Sequence, residues 1–108
     1  MAHIEEIDPA EAAEALREGG DRITLLDVRD PWETDIAVLP GAVVIPLSEL
    51  ADRTGELDRD KPVIAYCHAG VRSRRAASVL QREGFDVRSI RGGIDGWSQT
   101  VDPDVPRY

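Results

Sequence analysis

The chain has almost nothing with which to cross-link. Its single cysteine, Cys67, excludes an internal disulfide and a cysteine-based metal site. No apolar run approaches the ~20 residues of a membrane-spanning helix, so no membrane contact is expected. Met1 to Glu6 lacks the basic-then-apolar order of a secretory signal. No internal repeat, linker or low-complexity segment is present. Lys61 is the one lysine among 13 basic residues, a bias read as genomic rather than functional. Cationic charge is short overall: a net charge of −8 argues against nucleic acid as the main partner. A free thiol favours a reducing compartment, which makes the cytoplasm the expected location.

What is present fits one domain spanning residues 1–108, with 42% apolar residues to fill a single core. The informative stretch is Val63 to Glu83. Val63-Ile64-Ala65-Tyr66 is β-branched and aromatic and reads as a buried strand. Ser73 is a candidate N-cap for a helix that runs to Glu83 and stops at Gly84. Between strand and helix lies Cys67-His68-Ala69-Gly70-Val71-Arg72, at the carboxyl edge where a parallel sheet usually binds ligands. Gly70 allows the loop to curl so that successive amides face one centre. Helix-terminal amides and Arg72 would then favour a thiolate; free cysteine has a pKa of about 8.5. The bland alternative is that Cys67 is a small buried apolar residue. Around the cysteine, Cys67 to Arg91 holds six arginines against Glu83 and Asp86, a basic zone on an acidic body. Such a zone suits a small anion or an acidic partner tail, or is a solvated helix face.

The rest of the chain supplies a scaffold. His3 to Ile7 reads as a first strand, and Asp8-Pro9 as the start of a helix ended by Gly19-Gly20. Ile23 to Val28 is a second, mostly apolar strand; Asp27 and Arg29 at its end brace the cysteine loop or form a capping ion pair. Pro31 to Thr34 suggests a short helix. Ala42 to Ile45 is a third strand, and Ser48 is placed to cap the helix after it. Asp86 to Ile90 is the last strand, followed by a Gly92-Gly93 turn and a short helix bearing Trp97, a core anchor. Prolines keep Asp102 to Tyr108 from being helical. This order of elements predicts an α/β fold with a mainly parallel sheet.

Loop length separates two chemistries. A cysteine phosphatase would place its arginine six positions after the cysteine; here Arg72 is fifth and Ser73 sixth. The tighter cradle suits one bound sulfur better than a phosphoryl group.

The segment Cys67-His68-Ala69-Gly70-Val71-Arg72-Ser73 resembles the loop of single-domain rhodaneses, sulfurtransferases that form a persulfide. Leu26 to Glu33, Leu39 to Ala42 with Ile45 to Leu47, and Arg91 to Trp97 resemble three further signatures of that family in the same order. Ala37-Val38 stands where members often carry Gly-His. The tail, Asp102 to Tyr108, is similar to that of rhodanese domains fused behind adenylyltransferases that activate sulfur carriers.

The resemblance implies a five-stranded sheet with helices on both faces, and no cofactor and no metal. It implies that Cys67 is the nucleophile and that His68, Ala69, Gly70, Val71, Arg72 and Ser73 hold the sulfur. Asp27 and Arg29 support them. The implied partners are a small anionic sulfur donor such as thiosulfate, a cysteine desulfurase persulfide, and a sulfur-carrier protein as acceptor. Alternatives are a persulfide sensor or adaptor without turnover, a phosphatase or arsenate reductase of the same fold, and an inactive scaffold.

Overall fold

The computed structural model describes residues 3–108. Its sheet has five strands in the order β1-β5-β4-β2-β3. These are β1 (Glu6–Ile7), β2 (Thr24–Asp27), β3 (Val43–Val44), β4 (Val63–Tyr66) and β5 (Val87–Ile90). All four pairings are parallel, with Leu26 beside Ala65 and Ala65 beside Ser89. Parallel pairing requires a crossover between neighbours, and five helices provide or flank the crossovers. They are α1 (Pro9–Gly19), α2 (Pro31–Ile36), α3 (Leu47–Arg53), α4 (Val71–Arg82) and α5 (Gly93–Thr100).

Strand alternation divides the core in two. Val63, Ala65 and Cys67 face one side with Leu26, Val28, Leu50, Ala76, Ala77 and Leu80, beneath α3 and α4. Ile64 and Tyr66 face the other with Leu25, Ile90, Ala12 and Trp97, beneath α1 and α5. Helices therefore cover both faces, as expected. The cysteine lies directly beyond the end of β4, on the α4 side.

Three local expectations are corrected. α4 begins at Val71, two residues before Ser73, because Gly70 adopts φ 108° and caps the helix with left-handed backbone that other residues rarely adopt. Ser73 is thus inside the first turn. α3 begins at Leu47 after Pro46, which places Ser48 within the helix. Asp8 precedes α1 but makes no side-chain cap; its carboxylate pairs with Arg91 instead. The first strand is also shorter than expected. A cleft of about 580 Å³ opens between Leu16, Thr24, Gly41 and Lys61 at the amino-terminal edge of the sheet, and no predicted site residue lines it.

Candidate active site

Cys67 sits at the bottom of a tight loop and is 1% exposed. Gly70 N donates a hydrogen bond to Sγ at 3.1 Å, and Ser73 Oγ lies 3.5 Å from Sγ. Of the loop amides expected to converge on sulfur, Gly70 is the one that makes this bond. Ser73 Oγ is also 2.7 Å from Ser89 Oγ, so β5 supports the sulfur through α4. The amino end of α4 faces the same point, which favours negative charge there.

The outer side of the loop is fastened by the turn before α5. Ile94 N donates to Cys67 O at 2.9 Å and Asp95 N to His68 O at 3.0 Å. These are free amides of the first turn of α5. The approach is close: a Cβ on Gly93 would lie 2.4 Å from His68 O. The Arg91 to Trp97 segment is therefore a clamp on the loop.

Arg72 points away from the sheet toward α2. Its Nη1 and Nη2 donate to Glu33 Oε1 and Oε2 at 2.5 and 2.8 Å. Glu33 also accepts from Asp30 N at 3.1 Å and from the Tyr108 hydroxyl at 2.6 Å. The Arg72 bonds, opposed by burial and aided by Tyr108 and Asp30, hold the Glu33 carboxyl at about 2. Arg72 is raised in turn by the Glu33 hydrogen bonds, against the opposing effect of burial.

Asp27 and Arg29 are both fully buried and paired, with Nη2 to Oδ2 at 2.7 Å. Arg29 also donates to Glu33 O, Ala37 O and the Tyr108 hydroxyl. The pair does not touch the cysteine loop itself: Asp27 bonds Arg29, and Arg29 bonds Glu33 O, whose carboxylate holds Arg72. His68 is stacked on Tyr108, with ring centroids 4.2 Å apart. Ala69 and Val71 are exposed at the mouth. Sequence reasoning missed Glu33, Ser89 and Tyr108 as site residues. Glu33 carried a local signal, three residues after Asp30 at a helix start. Nothing local marked its partner.

The model of the rhodanese-like domain matches residues 8–100. This chain belongs to the rhodanese-like domain family. Among relatives of this rhodanese-like chain, "Thiosulfate sulfurtransferase GlpE" of Pseudomonas syringae is 41% identical over 93 residues, covering 85% of this chain and 86% of that protein. "Probable adenylyltransferase/sulfurtransferase MoeZ" of Mycobacterium tuberculosis is 37% identical over 105 residues, covering 94% of this chain. The present chain spans 26% of the length of MoeZ. In structure, the rhodanese-related protein of Thermoplasma volcanium superposes with a TM-score of 0.81 at 32% identity, covering 96% of this chain and 99% of that one. Among the described residues no helix is long and apolar enough to cross a membrane.

Proposed function

We propose that residues 1–108 act as one sulfurtransferase domain that carries a sulfane sulfur on Cys67. The thiolate attacks the outer sulfur of a donor. A new S–S bond forms, the donor's own S–S bond breaks, and its electron pair leaves with sulfite or a thiolate. A second nucleophile then attacks the outer sulfur and releases the Cys67 thiolate, so no net redox change falls on the protein. The observation that carries this reading is the Gly70 amide aimed at Sγ within a loop capped by α4. Fixed dipoles of this kind stabilise a sulfur anion without reorganisation.

Arg72, with part of its guanidinium open to solvent, attracts the anionic donor. Thiosulfate and a protein persulfide both fit, and GlpE is named for the first. The likeness to MoeZ supports a sulfur carrier's adenylated carboxylate as acceptor. There the roles reverse: the outer persulfide sulfur attacks the carbonyl and expels adenylate. Two equivalents of an external thiol then split the resulting acyl disulfide into the thiocarboxylate and the free Cys67 thiolate. The free thiol supports the cytoplasm.

Intact-protein mass spectrometry after exposure to thiosulfate or a persulfide tests the reading. The expected result is a gain of one sulfur atom that cyanide removes and that Cys67→Ser abolishes. No gain with either donor overturns it. The depth of Cys67 favours one second reading, a persulfide sensor without turnover. A sulfur that loads but resists both cyanide and thiols would establish that reading instead.

A further inference from the structure

We propose that Tyr108 is a positioning residue for the cysteine loop. Its hydroxyl holds Arg72 through Glu33, its ring holds His68, and together they set the affinity for an anionic donor. The proposal rests on the sulfurtransferase reading and deepens it.

The hydrogen-bond inventory around Glu33 fixes the direction of every proton. Arg29 Nη1 lies 3.0 Å from the Tyr108 oxygen and can only donate. The one hydroxyl hydrogen is therefore committed to Glu33 Oε2. Burial, outweighing Arg29 and aided by Glu33, pushes the Tyr108 hydroxyl up to about 12, so it remains a donor at neutral pH. Each Glu33 oxygen then accepts two bonds: Arg72 and Asp30 on one, Arg72 and Tyr108 on the other. A carboxylate filled in this way has no freedom to rotate. Arg72 is held by both arms of its fork, leaving its Nε–H and outer hydrogens for an anion.

The ring acts separately. It stacks on His68 at an interplanar angle of 16° and packs T-shaped with Trp32, ring centroids 5.8 Å apart. His68 follows the nucleophile directly, so the stack limits motion of the loop itself. The segment leading to Tyr108 is pinned as well. Ser98 Oγ donates to Val105 O at 2.6 Å, and Arg107 pairs with Asp95 at 2.8 Å. Asp95 is also the residue whose amide holds His68 O.

The test uses the full chain with thiosulfate and cyanide. Tyr108→Phe removes the hydroxyl and keeps the ring. Its KM for thiosulfate is expected to rise about tenfold, as for the loss of one bond to a charged group, with a smaller fall in kcat. Because the hydroxyl acts through Glu33, Glu33→Gln/Tyr108→Phe should be no worse than Glu33→Gln alone. An unchanged KM, a loss confined to kcat, or additive effects in the pair would overturn the proposal. Nuclear magnetic resonance provides a readout that needs no turnover. Resolved Arg72 Nη–H signals should be lost in Tyr108→Phe, while the ring-current shift of His68 persists; Tyr108→Ala should lose both. If the wild-type protein never loads sulfur, the sulfurtransferase reading fails. The spectra then decide this proposal alone, and Arg72 signals unchanged in Tyr108→Phe would end it.

Discussion

Glu33 and Arg72 lie 39 positions apart in the chain and meet fork to fork, at 2.5 and 2.8 Å, beside the mouth of the cysteine loop. One is 2% exposed and the other 31%, so the carboxylate is the buried anchor and the guanidinium is the part that reaches solvent. The pair joins α2, which follows β2, to the first turn of α4, which follows β4. It ties the helix bearing the cysteine's arginine to the neighbouring strand's crossover.

That pairing makes stability depend on pH in a defined window. The Arg72 hydrogen bonds hold the Glu33 carboxyl down at about 2 in the folded protein, against an ordinary 4.5 when unfolded. The folded value is the lower one. Its stabilisation is therefore complete above about 4.5 and is lost as pH falls through about 2. The contribution at neutral pH is on the order of 3 kcal/mol. Urea unfolding from pH 6 down to 2 should show this loss in the wild type. In Glu33→Gln that part of the slope should be missing.

Gly93 is where backbone meets backbone. It has φ 59°, and an added Cβ would lie 2.4 Å from His68 O and 2.5 Å from Cys67 O. Neither carbonyl can retreat without breaking the bonds from Ile94 and Asp95. Gly93→Ala should cost about 2–4 kcal/mol and abolish sulfur loading. Gly55→Ala meets nothing within 4 Å and should be close to neutral in the same denaturation assay.

Ser73 links the sulfur to β5. Ser73→Ala leaves the buried Ser89 hydroxyl without its 2.7 Å partner, at a cost of about 1–2 kcal/mol. Because one bond serves both residues, Ser73→Ala/Ser89→Ala should cost less than the two single changes summed. Thermal unfolding of the three variants checks this. Additive losses would show that the two hydroxyls are not coupled.

The depth of Cys67 predicts selectivity by reagent size. At 1% exposure, alkylation requires a local opening of the loop. Relative to each reagent's own rate in denaturant, the native protein should slow a bulky maleimide dye at least about tenfold more than it slows iodoacetamide, with both slowed strongly. Native rates equal to the denatured ones would show the thiol to be open.

The elements were legible in the chain because their signals are local. Apolar runs at Ile23 to Val28 and Val63 to Tyr66, Pro9 at a helix start and Gly84 after a helix end each act within a few residues. The cysteine loop was legible for the same reason, as residues 67–73 are contiguous. Even so, Ser73 appeared as a cap, since serine and glycine both start helices and only the backbone, left-handed at Gly70, shows which of the two does so. The side-chain contacts that flank the loop have no such local mark. Glu33 with Arg72, Tyr108 with Arg29, and Ser73 with Ser89 are separated by 39, 79 and 16 positions. The sequence by itself determined which segments become strands, which become helices, and where the cysteine loop lies. Only the tertiary structure decided what surrounds it, because the order β1-β5-β4-β2-β3 places β4 between β2 and β5. Side chains remote in the chain then converge at the end of one strand.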